Sequence, residues 1–184
     1  WKVYQTGDRL KFSKREIPHR GFVFKIFPKE KTTYFLRLKS RGSIQIPLKI
    51  YSGEAFYKYE SLVYCGFGLF FGSILVMIFY NLFVFFSTKN IAYIHYVFFL
   101  ASFLVLLMAM SGFGYQFLFP NSPFLQNKGI PLMGLLTIVA ISLFTQSYMN
   151  LKDATPKVFI LLKGFIILAS LFLLLSPWIP YTFI

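Results

Sequence analysis

LVYCGFGLFFGSILVMIFYNLFVFF, residues Leu62 to Phe86, runs for 25 residues without a charged side chain. At about 1.5 Å per residue, a helix of that length exceeds the ~30 Å hydrocarbon layer of a bilayer and crosses it with some tilt. Three similar stretches follow, Ile91 to Met110, Ile130 to Met149 and Val158 to Leu175. A helix on a soluble core carries a polar stripe at helical period, and none of the four does. The pattern predicts a polytopic membrane protein with an α-helical bundle of four spans.

Composition and charge placement divide the chain. It is 57% hydrophobic and 14% charged, against roughly a quarter charged in soluble domains. Fourteen Lys and Arg and five acids precede Leu62, whereas five Lys and one Asp follow it. This asymmetry predicts a domain boundary near Glu60, with a basic, solvated piece over 1–60 and an embedded piece over 61–184. The chain opens on Trp1 and closes on WIPYTFI just after the fourth span, and the expectation is a fragment cut at both ends.

The first sixty residues read as β. Tyr34, Leu36 and Leu38 alternate with Phe35, Arg37 and Lys39, and Ile44, Ile46, Leu48 and Ile50 alternate with Gln45, Pro47, Lys49 and Tyr51. Gly21 to Phe27 supplies a third segment, apolar on both faces. Period two with aromatic and β-branched residues is the half-buried strand pattern. Turn residues lie at Pro28 to Lys31 and Ser40 to Gly42. Pro47 has no N–H to donate, which suits an edge or a bulge. Sixty residues are thin for a free-standing sandwich, so the expectation is the C-terminal part of a larger one.

Short connections orient the spans. Lys89 lies in the first connection, Lys152 and Lys157 in the third, and Lys163 just inside the fourth span, whereas the second (Ser111 to Gly129) carries only Lys128. The positive-inside rule puts the first and third in the cytoplasm and the β piece outside; the basic N-terminal piece counts less, since long domains translocate largely regardless of charge. The second connection mixes helix breakers (Gly112, Gly114, Pro120, Pro123) with Phe113, Tyr115, Phe117, Phe119 and Phe124. It reads first as an interfacial aromatic belt and second as a lid or contact surface beneath the outer domain.

Polar residues inside the spans are few. Asn81 is expected to hydrogen-bond a neighbouring helix, with a conformational switch as the second reading. His95 is expected to be a packed, hydrogen-bonded histidine, because no Asp or Glu lies in the spans to make a proton relay with it. Ser142, Thr145 and Gln146 share a face expected to meet other helices. Gly68 and Gly72 form a GxxxG pair, read as close helix packing within the chain or as the interface of a homodimer. Only Tyr57 to Ser61 separate the last strand-like segment from the first span, which predicts stiff coupling of the outer domain to that helix.

No metal-ligand spacing and no nucleophile–base pair is present. The chain is therefore not expected to be an enzyme, nor to carry a cofactor or metal. Lone Cys65 reads as a packed thiol. A net charge of +13 raises nucleic acid as a partner, which a membrane-tethered outer domain argues against. Anionic headgroups or surface polysaccharide suit it better. Arg15, His19, Arg20, Arg37 and Arg41 are the candidate contacts for a small-molecule or carbohydrate ligand on the outer side, the alternative being a solvated face.

Several segments together resemble the bacterial seven-transmembrane receptors with diverse intracellular signalling modules. They are REIPHRGFVF (Arg15 to Phe24), TTYFLRLKSRGSIQIPLKI (Thr32 to Ile50), FGSILVMIFYNLFVFFSTKNIAYIHYVFF (Phe71 to Phe99), GFGYQFLFPN (Gly112 to Asn121) and FTQSYMNLK (Phe144 to Lys152). The resemblance implies a periplasmic jelly-roll sensor, seven helices in the inner membrane and a variable cytoplasmic output module. This chain departs from it in having four spans and no such module. The expected function is a receptor or sensor relaying an outer signal; a transporter or channel component and a non-signalling envelope anchor are the rivals.

Overall fold

A computed structural model of the chain describes residues 5–7, 10–27, 33–39 and 47–176. Four of its helices are long and apolar enough to cross a membrane. The first, α1, spans Gly53–Thr88, 36 residues, or about 54 Å. That is well beyond a ~30 Å hydrocarbon layer, so its first turns stand above the membrane. The Ser52 hydroxyl caps it by accepting from Ala55 N, and Glu54 sits favourably in the first turn. It ends where Lys89 turns left-handed at φ 56°. Asn90 then caps α2 (Ile91–Met110), its side chain accepting from Ala92 N at 3.0 Å.

Apolar residues at helical spacing on α1, namely Phe71, Ile74 and Ile78, pack against Tyr96, Leu100, Leu104 and Leu107 of α2. Asn81 continues the α1 stripe and is buried. Helix α3 (Pro123–Tyr148) starts at a Ser122 cap followed by Pro at the first position, a favourable helix entry. It packs extensively on α2 and, on another side, on α5 (Pro156–Leu175). Asn150, left-handed at φ 47°, breaks the chain before the one-turn α4 (Leu151–Ala154).

Two contacts pin opposite ends of the bundle. Lys128, buried in α3, donates to the Ser176 carbonyl at the C-terminal end of α5 at 2.7 Å, where a cation suits the helix dipole. His95 Nδ1 of α2 lies 2.5 Å from Ser147 Oγ of α3 at the other end. Lys128 is thus a helix residue rather than a loop charge. The connection that remains, Ser111 to Ser122, holds no Lys or Arg, and Lys128, in the second turn of α3, still counts for that side.

Among the described residues no strand forms. Gly21 to Phe27 and residues 33–39 carry no regular secondary structure, although the Tyr34 hydroxyl donates to the Phe27 carbonyl at 2.8 Å. Their apolar side chains lie open, Phe35 at 80% and Tyr34 at 54% exposure. Alternation identifies faces that are able to pair and be covered; a sheet also needs a ladder partner and a second layer. Residues 43–46 of the Ser43 to Tyr51 segment, and both expected turns, lie outside the described residues, and Pro47 to Tyr51 carry no regular secondary structure.

A candidate signalling junction above the bundle

The segment from Leu10 to Phe22 lies across the outer ends of α1 and α2 and the loop between α2 and α3. Phe12 N donates to the Pro120 carbonyl at 3.1 Å, the Tyr115 hydroxyl donates to the Leu10 carbonyl, and the Phe12 and Tyr115 rings meet edge to face. Arg15 gathers the next turn. Its Nη1 donates to the carbonyls of His19, Arg20 and Gly21 at 2.5, 3.0 and 3.2 Å. Its guanidinium lies 4.5 Å from the Phe22 ring centre and 5.0 Å from that of Tyr115, within cation–π range. Burial pushes this guanidinium below its usual pKa range, and Tyr115 opposes the shift.

The turn so formed aims two side chains at one carboxylate on α1. Arg20 Nη2 lies 3.3 Å from both Glu60 oxygens, and His19 Nε2 lies 2.9 Å from Glu60 Oε2. The His19 contact is short, but its N–H is not directed along it, so it is a close polar contact rather than a formed hydrogen bond. Glu60 and His19 are both buried. Arg20 also covers the Phe67 and Phe113 rings. Phe113 makes edge contacts with Tyr64, Phe67 and Phe71 of α1, and the Tyr64 hydroxyl donates to Gln116 Oε1 at 3.2 Å.

Two glycines make the fit possible. Gly112 has φ +82°, and a Cβ there would stand 2.8 Å from the Arg20 carbonyl oxygen. Gly114 sits in a π-helical turn (Gly114–Leu118), where a Cβ would meet the Phe119 ring at 2.8 Å and the Ala109 backbone at 3.1 Å. Left-handed backbone and close approach are the two conditions that favour glycine.

Of the sequence-predicted site residues, Arg15, His19 and Arg20 come together here, tied to protein groups. Arg37 stands on the exposed 33–39 segment, and Arg41 lies outside the described residues. The close packing expected within the chain at Gly68 and Gly72 is not found, since nothing lies within 4 Å of a Cβ built at either. The expected interhelical bond of Asn81 is also corrected. Its amide nitrogen donates to the Met77 carbonyl of its own helix at 2.7 Å. Ser142 is buried, on the face expected to meet other helices, while its hydroxyl and that of Thr145 donate to Ile138 and Ile141 one turn back. The loop between α2 and α3 divides its aromatics. Phe117 is exposed, as a belt residue would be, whereas Phe113 and Tyr115 are buried at 4% and 1%. Tyr64 and Gln116 carry no signal of this contact in the sequence, Gly112 reads there only as a helix breaker, and Glu60 offers a hint as the acid nearest the first span.

Residues 64–184 match the family model described as 7TM diverse intracellular signalling. The chain belongs to that family. Residues 1–52 match a second model, 7TMR-DISM extracellular 2. No curated protein and no solved structure matches the chain. The families make it a multi-pass membrane receptor with an extracellular domain and a signalling role. The junction joins the two matched regions: His19 and Arg20 come from the extracellular match, Tyr64 and Phe113 from the seven-helix match, and Glu60 from the turns between them.

Proposed function

We propose that this chain relays an event in its outer domain to the membrane helices through the junction at Glu60. The observation that carries the reading is the grip of one outer segment on two bundle elements at once. His19 and Arg20 hold α1, while Phe12 and the Arg20 carbonyl meet the loop that ends α2. A shift of the outer domain is then a shift of α1 relative to α2, provided a ligand binds one arrangement better than the other. The ligand class we favour is a small molecule or carbohydrate bound by a jelly-roll-like sandwich to which residues 1–52 contribute. The membrane is the inner membrane, the helices number seven in the full receptor, and the output is a cytoplasmic module. This stretch acts as a relay, not as an enzyme.

Spin labels at Thr88→Cys and Asp153→Cys, both exposed at the inner end, report on the relay in nanodiscs with Cys65→Ser. Glu60→Gln removes the carboxylate that Arg20 and His19 face, and the inner-end distance distribution should change. An unaltered distribution, with the outer segment demonstrably released, would overturn the relay. A transporter would instead be recognised by solute flux in liposomes, and the described spans carry no acidic residue at mid-bilayer to support it.

A further inference from the structure

One face of α1 carries an open apolar groove of about 330 Å³, lined by Val63, Gly66, Phe67 and Phe70. Gly66 is its floor, and a Cβ built there meets nothing within 4 Å. Phe67 is its fixed wall, since that ring packs on Phe71 and Phe113 and lies under the Arg20 guanidinium. One turn above Val63, on the same face, stands Tyr59. Its ring stacks on Tyr51 at 5.6 Å between centres, and the Lys49 ammonium lies 5.6 Å from its own centre. Lys49 is exposed, and among the described residues the ion pairs all fall on Glu60, engaged by His19 and Arg20. The other acid of α1, Glu54, lies about 140° round the helix from Tyr59. The groove therefore has an apolar bed and a cationic head.

Depth indicates what fills it. The charge-free run of α1 starts at Leu62, so Tyr59 stands at headgroup level, where tyrosine is favoured. Val63 to Phe70 descend about 10 Å into the outer half of a ~30 Å hydrocarbon layer. We propose that this groove binds one anionic phospholipid of the outer leaflet, an acyl chain lying against Gly66 and the headgroup phosphate at Lys49. A water-soluble ligand does not reach that depth. A second copy of the chain is opposed by charge, because a two-fold partner seated in the groove would set its own Lys49 against the first. The site draws on both matched regions, Lys49 from the extracellular match and Gly66, Phe67 and Phe70 from the seven-helix match. It is independent of the relay reading.

The test uses the purified protein in detergent with added phospholipid, read by native mass spectrometry. A second readout is phosphatidylglycerol carrying a photoreactive diazirine on its acyl chain. One phosphatidylglycerol should be retained about fivefold better than phosphatidylcholine, the scale of a single lysine beside an anionic headgroup. The photoproduct should map to residues 63–70. Lys49→Gln should bring the two lipids to parity and leave the photoproduct where it is. Gly66→Leu fills the groove from a position that meets open space, and should abolish labelling of 63–70 without lowering the melting temperature. Should that variant melt below the native protein, Gly66→Val takes its place under the same criteria. Labelling that survives the filled groove, or a phosphatidylglycerol preference unchanged in Lys49→Gln, would overturn the site. A dimer in the same spectra that the filled groove dissociates would overturn it too, and make a second copy the occupant.

Discussion

Gly112 and Gly72 are both glycines near the outer half of the bundle, and the structure gives them opposite weight. At Gly112 the left-handed backbone alone costs a side chain roughly 1–2 kcal/mol, and the Arg20 carbonyl stands where its Cβ would go. Gly112→Ala should therefore loosen the junction, read as faster proteolysis of the segment around residues 10–22 and a lower melting temperature. Gly72→Ala meets open space and gains helix propensity of up to about 1 kcal/mol. It should leave the melting temperature unchanged or raised, and a clear drop would show the glycine face to be packed. Glu60→Gln should cost about 1–3 kcal/mol, the scale of leaving hydrogen bonds to charged groups unmade. The same proteolysis assay reads it, and wild-type protection in the variant would remove Glu60 from the junction.

At the scale of elements, α1 joins the outer segment to the bundle. It is one helix from Gly53 to Thr88, so the residues Tyr57 to Ser61, expected as a short spacer, are its second and third turns. Helix continuation has a plain cause. Ser52 and Glu54 form a start signal upstream of the apolar run, and no Pro or Gly interrupts the turns before Gly66. Coupling therefore does not depend on the covalent spacing alone, because the outer segment also grips Glu60 directly. A flexible Gly-Ser insertion after Lys58 lies upstream of that grip. It should leave the inner-end distances as in the native protein, whereas Glu60→Gln changes them. If the insertion proved as disruptive as the substitution, the covalent route would be the main one.

At the scale of the described molecule, the spans form a row of antiparallel helices, pinned at one end by Lys128 and Ser176 and at the other by His95 and Ser147. An impermeant thiol reagent should label Phe117→Cys in intact spheroplasts and Asp153→Cys only after permeabilisation, again with Cys65→Ser. The reverse order would invert the orientation. The sequence by itself determined that four stretches are long and apolar enough to cross a bilayer, because length and apolarity are local properties. It also marked Arg15, His19 and Arg20 as candidate contacts, and the structure places His19 and Arg20 at Glu60 and Arg15 on the carbonyls of the turn they form. Tertiary structure alone decided which glycines are packed. A GxxxG spacing says that a helix can be approached closely, not that a neighbour is there. It decided likewise that Asn81 bonds within its own helix, since a carbonyl one turn back is always in reach and a neighbouring acceptor is not. The junction itself joins residues 40 or more positions apart, such as Arg20 with Glu60 and Tyr64 with Gln116. No periodicity or spacing encodes such a pairing; it exists only once the outer segment is laid across the helix ends.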